Sequence, residues 1–403
     1  GGSADNVEVE SFDNITTLGQ DSNAILAQSL GGGGGNGGTA ATGTLTVSAS
    51  DEGGTYNGSV SLGGQGGKGN QAGTVDVNSS GTLVTFGDAS HGVLVQSIGG
   101  GGGNGGMSIA ASLSGSVGSS MQASVGIGGT GGEAGFANAV NVVRGAEGAI
   151  YTFGHESTGI TAQSIGGGGG GGNGGSAISL SGSLLDTTSI AFTLGGFGGE
   201  GNTGGTVKVD NQSDIFTIGN QSQAIKAQSI GGGGGNGGSS IAFSGTAFTK
   251  ESSTNIAAAV GGFGVEGGAS SFVEVVNKAN LYTEGTGAQG ILAQSIGGGG
   301  GNGGTGFAGT FNPGGFAKND AKATTVAASV GGFAGNGNIS GAVEVNSTGE
   351  SIYTLGDFSS AIQAQSIGGG GGNGGNATTA ALSIKCVDSC DMPDDNKKSD
   401  TNI

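Results

Sequence analysis

The chain has 403 residues, of which 101 are Gly and only 16 are Phe, and it contains no Trp. With 33% hydrophobic and 10% charged residues, this composition disfavours a globular enzyme with one round core and favours an elongated, thin-cored repeat protein. The net charge of −18 at pH 7, with only 11 Lys and Arg residues, repels phosphate backbones, so we expect no nucleic-acid partner.

The phrase Gln-Ser-Ile followed by five glycines, Asn and two glycines recurs about every 67 residues, and such a fixed period predicts a stack of similar modules. Its six copies begin at Gln28, Gln96, Gln163, Gln228, Gln294 and Gln365. The third copy has two additional glycines before Asn173. The repeats delimit units at approximately 7–73, 74–138, 139–205, 206–271, 272–341 and 342–385, followed by a polar tail at 386–403.

Each unit opens with a segment in which two valines flank a polar residue, as in Val75-Asp76-Val77. This period of two predicts a half-exposed strand whose valines face a core. A second strand follows, exemplified by Ile150-Tyr151-Thr152. Its Ile and Thr share one face, while the opposite face is also apolar in most copies. That second face is either covered by another layer of the chain, which we favour, or presented to a partner as an apolar stripe.

The third strand of each unit ends in the invariant Gln-Ser pair, as in Ile25 to Leu30. The face with small residues, such as Ala27 and Ser29, is predicted to point inward, because the opposite face tolerates Lys226. Gln28 lies on that opposite face and yet never varies. Two partners would explain this invariance: the stacked Gln side chains of neighbouring units, or backbone groups of the glycine run.

Two more strand-like segments follow the glycine run, and the length between them varies, which is typical of a loop tip. A second glycine cluster then leads into the next unit. Five short strands per unit without helical periodicity predict an all-β fold, a repetitive parallel β-solenoid or β-helix.

The glycine runs have a nearly constant length, which indicates an ordered backbone and not a flexible linker. They could form corners with positive φ or extended polyproline-II-like rods lying side by side. The rods would be adjacent if one unit makes one turn, whereas two or three turns per unit would separate the runs. The asparagines that follow the runs are predicted to close turns. They are Asn36, Asn104, Asn173, Asn236, Asn302 and Asn373.

The glycine runs lack the chemistry of ligand-binding loops. No helix or Lys follows at the spacing of a phosphate loop, and Asn stands where a calcium-binding repeat needs Asp. We therefore expect no cofactor and no metal. Two cysteines, Cys386 and Cys390, lack further ligands nearby, so we interpret them as a local disulfide or as free thiols.

The neighbouring Asp88, Ser90 and His91 are the residues that most suggest a hydrolase. The same turn in other units carries different residues, so a solvated turn is the preferred interpretation. Since nothing singles out a carboxylate pair for glycoside cleavage either, we expect no catalytic residues and no enzyme activity.

The combined pattern resembles the glycine-rich repeats of large bacterial autotransporter passenger regions, and it is clearest from Ile352 to Gly375 and from Ile150 to Gly175. The resemblance extends up to about Lys385. It implies a pectin-lyase-like parallel β-helix that is displayed on, or released from, a Gram-negative cell in adhesion or surface-layer roles. The sequence shows no signal peptide or membrane barrel, so we expect a mature or excised segment that is anchored to the outer membrane only through other regions.

These observations lead to the hypothesis of an extracellular structural or adhesive scaffold that self-associates into a fibre or matrix and contacts glycans, host surfaces or abiotic surfaces. The alternative is a repetitive face that binds a glycan or ice, suggested by the regularly spaced threonines. These are Thr17, Thr85, Thr152, Thr217, Thr283 and Thr354, although they share a face with Ile and are predicted to point inward with it. A polysaccharide-active enzyme ranks behind both.

Overall fold

The computed structural model describes residues 1–50, 53–313 and 322–384 and contains 29 strands. Within these ranges there is no helix, and so no helix that could cross a membrane. Each of the first five units makes one turn of the solenoid and contributes one strand to each of the five parallel sheets, and the described part of the sixth unit contributes a strand to four of them. Equivalent residues pair without offset, as Val7 does with Val75 and Gln28 with Gln96. The predicted all-β solenoid is confirmed, and the number of turns per unit is one.

Three of the five sheets, which we name A, B and C, wrap around one core and form the three-sheet lobe. Sheet A contains β1 (Val7–Ser11), β6 (Val75–Ser79), β11 (Val140–Arg144), β16 (Val207–Asn211), β21 (Val273–Asn277) and β26 (Val343–Ser347). Sheet B contains β2 (Ile15–Thr17), β7 (Leu83–Thr85), β12 (Ile150–Thr152), β17 (Ile215–Thr217), β22 (Leu281–Thr283) and β27 (Ile352–Thr354). Sheet C contains β3 (Ile25–Leu30), β8 (Val93–Ile98), β13 (Ile160–Ile165), β18 (Ile225–Ile230), β23 (Ile291–Ile296) and β28 (Ile362–Ile367).

The other two sheets, D and E, face each other and form the two-sheet lobe. Sheet D contains β4 (Ala40–Ser48), β9 (Ser108–Ser116), β14 (Gly175–Ser183), β19 (Ser240–Thr246), β24 (Gly306–Asn312) and β29 (Ala377–Ser383). Sheet E contains β5 (Thr55–Leu62), β10 (Ser120–Ile127), β15 (Thr187–Leu194), β20 (Ser253–Val260) and β25 (Ala323–Val330). The variable tips predicted from the sequence lie between each D strand and the following E strand.

The core of the three-sheet lobe is built from the faces that the sequence pattern assigns inward. Val75 from sheet A, Leu83 from sheet B and Val93 from sheet C are all fully buried in one apolar cluster. Thr85 is buried beside Leu83, and its hydroxyl donates to the carbonyl of Ser90 at 2.6 Å. The threonine column therefore faces the interior in the central coils, as predicted, and each hydroxyl is satisfied by the following turn.

The opposite face of sheet B is exposed, so the favoured expectation that another layer of the chain covers it is wrong. Leu18, Phe86 and Phe153 are all exposed at the end of this strand. Because one unit completes one turn, no strand of the described ranges is left over to form a second layer. The alternative, an outward apolar stripe, describes the structure.

In the two-sheet lobe, small residues point inward and large apolar residues point outward, which is the reverse of the usual distribution. Its buried apolar cluster consists of alanines such as Ala177 and Ala242, and serines and threonines fill the remaining inward positions. Larger apolar residues of the same strands, such as Ile178 and Ile241, point outward and are exposed. This lobe therefore buries little of its own apolar surface.

Two glycine-rich segments per coil connect the lobes and lie against each other. The first spans nine residues in every coil, as in 99–107, and the second spans twelve, as in 128–139. Gly103 donates to the carbonyl of Gly67 and accepts from the N–H of Gly132, both at 2.8 Å, so neighbouring segments are hydrogen-bonded to each other. The structure thus has the adjacent extended rods. Positive φ occurs at only four described glycines, Gly53, Gly81, Gly148 and Gly287, all outside these segments.

In the structure, the segment that contains the third glycine run is no longer than its counterpart in the second coil, although it has two more glycines before Asn173. Gly175 pairs with Ser108 and Gly182 with Gly115, so the third coil has the same length as the second between sheets C and D. Gly171 occupies the position of Asn104, and Asn173 occupies that of Gly106. The third run therefore carries substitutions and not an insertion.

Candidate functional site

The invariant glutamines form one continuous hydrogen-bonded ladder along the outer face of sheet C. The Nε2 of each Gln donates to the Oε1 of its counterpart in the next coil, at 2.5 to 2.7 Å, from Gln28 to Gln365. Of the two partners that the sequence left open, the structure shows the stacked side chains. Gln can act at every rung because its amide is both donor and acceptor, so the ladder links all six coils.

We expect replacement of one rung to destabilise the stack by about 1–2 kcal/mol, because Gln163→Leu leaves Gln96 without an acceptor and Gln228 without a donor. The urea midpoint of unfolding measures this loss. Thr161→Leu is the matched control on the same strand and face, and it should not lower the midpoint, since Leu26, Leu94 and Leu292 occupy this position in other coils. Equal midpoints for both variants would show that the ladder contributes nothing.

The asparagines lie within the extended glycine rods and close no turns, which corrects our expectation. The side-chain Oδ1 of Asn36, Asn104, Asn236 and Asn302 each accepts an N–H from the next coil at 2.7 to 2.9 Å. Asn373 donates its backbone N–H to Asn302 in this series. Asn173 differs, because its Oδ1 accepts from the adjacent Gly174. The asparagines therefore join coils axially, except in the third run.

The outward stripe of sheet B consists of aromatic rings that stack on one another. The rings of Tyr151, Phe216, Tyr282 and Tyr353 follow each other with centroid distances of 5.1, 6.2 and 5.8 Å. Tyr151 and Phe216 are stacked, as are Tyr282 and Tyr353, whereas Phe216 and Tyr282 are tilted by 40°. These ring contacts join successive coils and help to stabilise the stack.

Asp88, Ser90 and His91 share one turn, but the structure connects them to the backbone and not to each other as a catalytic relay. The hydroxyl of Ser90 donates to the carbonyls of Gly19 and Asp88, at 3.0 and 3.1 Å. The Nδ1 of His91 accepts the N–H of Thr158 at 3.0 Å, and Asp88 accepts that of His155. These contacts link successive coils, and among the described residues the Ser90 hydroxyl has no base within hydrogen-bond distance.

His91 borders an outward cavity of about 340 Å³, whose other lining residues include Glu156, Gln221 and Lys226. Burial, followed by the positive charge of Lys226, lowers the pKa of His91 to about 4. The neutral imidazole is thus favoured in the fold, which suits its role as an acceptor from Thr158.

His91 should make the protein sensitive to acid between its ordinary pKa of about 6.5 and about 4. In this window the unfolded chain binds a proton that the folded chain excludes, so stability falls as the pH falls, by on the order of 2 kcal/mol. Asn occupies the equivalent position in the first coil, so His91→Asn should remove this part of the loss. Urea midpoints at pH 4.5 and 7 measure it. His155→Asn, at an exposed histidine, is the control and should retain the wild-type acid sensitivity; if it behaves like His91→Asn, the assignment to His91 is wrong.

The described residues contain no group of three or more His, Cys, Asp or Glu side chains placed to hold a metal ion. Cys386 and Cys390 lie outside the described residues, as do Lys385 and the tail at 386–403.

Two features were not predicted although the sequence contains a pattern for each: the extended form of the second glycine segment, and the outward orientation of the large apolar residues on sheets D and E. The second glycine segment reads Gly-Gly-x-Gly-Gly-x, as in 128–133, and this period of three is the signature of a polyproline-II-like rod with one outward position per turn. The strands of sheets D and E alternate small polar with large apolar residues. Period two identifies such faces but does not say which one is inside.

No family model matches this chain, and comparison with curated proteins and with solved structures finds no significant similarity.

Proposed function

We propose that this chain is a structural or adhesive scaffold on the exterior of a Gram-negative bacterium. The observation that carries the proposal is the uniformity of the stack along its axis. All five sheets and both glycine segments continue in register through the described coils, and the glutamine ladder crosses all six. A site for one small ligand needs residues that break such a repeat, whereas a scaffold needs every coil to bind the next one equally well.

The extracellular location rests on the resemblance of the strand and glycine-run motifs to autotransporter passenger repeats. The composition is compatible with it, because the axial bonds come from backbone groups and neutral amides. Only three ion pairs join described residues, and all three are exposed at least in part, so salt that screens these pairs removes little of the stability of the stack.

The runner-up, a repetitive face for glycan or ice, has less support. Thr85, Thr152, Thr217 and Thr283 are fully buried, so they offer no regular hydroxyl array to a ligand. The rings of Tyr151 and Phe216, and those of Tyr282 and Tyr353, also stack on each other, which covers part of the aromatic surface of sheet B. Binding of the monodisperse chain on a glycan array, or reshaping of ice crystals by it, would favour the runner-up.

The proposal is tested in cells that carry the full-length protein. Proteinase added outside intact cells should digest the repeats, and an in-frame deletion of residues 7–383 should reduce attachment to glass and to neighbouring cells. Growth on polysaccharides should be unchanged by the deletion. Protection of the repeats until the cells are lysed, or a growth defect on one polysaccharide without any change in attachment, would refute the scaffold function.

A further inference from the structure

The two outer faces of the two-sheet lobe are unusually apolar for a surface. None of its eleven strands contains Asp, Glu, Lys, Arg or His. On sheet D the outward positions carry Ile109, Leu113, Ile178, Ile241, Phe243 and Phe307. On sheet E they carry Met121, Ile190, Phe192, Ile256, Val326 and Val330.

The interior of the same lobe is filled by other, smaller side chains, so the large apolar residues of the outer faces do not belong to its core. Some inward hydroxyls and amides form cross-sheet bonds, such as Ser181 to Ser189 at 2.7 Å and Thr246 to Asn255 at 3.0 Å, whereas others, such as the hydroxyls of Ser179 and Ser244, have no hydrogen-bond partner among the described residues. The interior is thus closed by small polar groups, and the apolar side chains become buried only when something covers the outer faces. A surface patch above about 600 Å² without charge is a signature of an interaction site.

Glycines keep the outer face of sheet D flat. A Cβ on Gly309 would come within 3.0 Å of the ring of Phe243 and 3.2 Å of that of Phe307, so both rings lie over the glycine. Gly182 lies below the ring of Phe248 in the same way, where a Cβ would approach to 2.6 Å. A flat sheet face fits another flat sheet face, and packed sheets lie about 10 Å apart.

We propose that each outer face of the two-sheet lobe packs on the two-sheet lobe of a second copy of this chain, so that copies associate side by side. The inference rests on the proposed scaffold function, for which it supplies the partner and the surface. Two observations favour a second copy over other occupants: the size of the face, and the position of the charges.

The size of each face matches what a stable protein interface requires. On sheet D, six strands at about 4.8 Å and about eight residues at about 3.3 Å give a face of about 750 Å², and the five strands of sheet E give about 630 Å². A standard interface buries about 800 Å² per partner. A second copy also has the same strand spacing along its whole face, so the side-chain rows of the two copies match throughout the stack. Because the lobe has two such faces on opposite sides, covering one leaves the other open, and association continues beyond the dimer.

The position of the charges argues against a lipid bilayer as the occupant. Asp186 and Lys250 are exposed at the tip of the lobe, beyond the apolar strands. Insertion of the lobe into a membrane tip-first, the orientation that would cover both faces at once, would have to carry both charges through the hydrocarbon layer. Lateral docking on a second copy leaves them in water.

The test is the association state of the full chain, measured by sedimentation velocity at about 1 to 100 μM. The wild type should show masses above the dimer that increase with concentration and with added sulfate, since sulfate strengthens apolar contacts. The double variant Ile241→Lys, Phe192→Lys places one charge on each face and should weaken association at least tenfold. Ile218→Lys is the control in the same coil as Ile241, because Ile218 is 42% and Ile241 is 47% exposed but Ile218 lies on the three-sheet lobe. It should associate like the wild type.

Three results would overturn the proposal: a wild type that stays monomeric over the whole range, a double variant that associates normally, or loss of association in Ile218→Lys. Matching circular dichroism spectra and melting temperatures verify that the variants are folded. Flotation of the wild type with phosphatidylcholine vesicles, lost in the double variant, would identify a bilayer as the occupant and also overturn it. A monomeric chain that is nevertheless exposed on cells would refute the docking alone and leave the scaffold function intact. A chain that associates but is shielded from external proteinase would refute the extracellular scaffold function and leave the docking intact.

Discussion

Gly232→Ala should destabilise the protein by about 3 kcal/mol or more, while the same substitution at the next residue, Gly233→Ala, should be neutral or slightly stabilising. A Cβ on Gly232 would lie 1.8 Å from the carbonyl oxygen of Gly167 and 2.4 Å from its carbon. These are backbone atoms of the neighbouring rod, which no rotamer change can move away. The same approach brings the N–H of Gly232 within 2.8 Å of the carbonyl of Asn202, so separating the rods also breaks hydrogen bonds.

Gly233 faces outward in the same rod, and its nearest contact with an added Cβ would be ordinary, at 3.8 Å from Gly299. Neither position has positive φ, so strain in the backbone of the substituted residue does not separate the two variants. Alanine at Gly233 restricts the unfolded chain and should gain up to about 1 kcal/mol. Urea midpoints and melting temperatures of the two variants measure the difference. If both lose stability equally, the close packing of the rods is not what requires glycine.

The period of three in the rod explains why Gly232→Ala and Gly233→Ala should differ. It also explains where the asparagines occur. Gly101, Asn104 and Met107 are three residues apart and form the outward row of the second coil, whereas Cβ atoms on Gly100 and Gly103 would meet backbone oxygens at 2.2 and 2.0 Å. In this segment of the second coil, only the outward row has open space for a side chain. The recurrence of Asn at one position of this row, in every coil except the third, where Gly171 stands, then reflects the axial hydrogen bond to the next coil.

Much of the three-sheet lobe could be predicted because its pattern agrees with ordinary burial. Val75 and Val77 alternate with polar residues, and the alternating valines are buried. The number of turns per unit could not be predicted, because alternation defines the faces of a strand and not the strand with which it pairs. The shift of Asn173 was missed for a related reason: counting glycines aligns residues by type, whereas the β-ladder aligns them by position, as Gly175 with Ser108.

The inverted two-sheet lobe could not be predicted by the rule that apolar faces point inward. The glycine rods that enter and leave this lobe are in contact, since a Cβ on Gly63 would lie 2.0 Å from the carbonyl oxygen of Gly106. The two sheets therefore begin close together, and only side chains such as Ala177 and Ser179 fit between them. Larger residues on the same strands are forced outward, where a partner has to cover them.

Arg144→Asn should stabilise the protein by about 1–4 kcal/mol, because the wild-type residue is a buried charge without a counterion. Arg144 is fully buried, and it forms no ion pair with any described residue. Its Nε donates to Ser213 Oγ at 3.1 Å and its Nη2 donates to the Gly81 carbonyl, but Nη1 has no hydrogen-bond partner in the part of the chain that the structure describes. Its equivalent in the next coil is Asn211, whose Nδ2 donates to Asn277 Oδ1 at 2.8 Å, so Asn at 144 would extend this ladder by one rung.

The pH dependence distinguishes relief of the charge from a gain in packing. Burial lowers the pKa of Arg144 to about 10. Between this value and its ordinary range the unfolded chain holds a proton that the folded chain releases, so the wild type gains stability as the pH rises through about 10. The advantage of Arg144→Asn over the wild type, measured from urea midpoints at pH 7 and 10.5, should therefore shrink at the higher pH. Arg144→Met, which removes the charge but cannot join the ladder, should retain part of the gain at pH 7. If both variants are less stable than the wild type, the contacts of the guanidinium with Gly81 and Ser213 outweigh the cost of burying its charge.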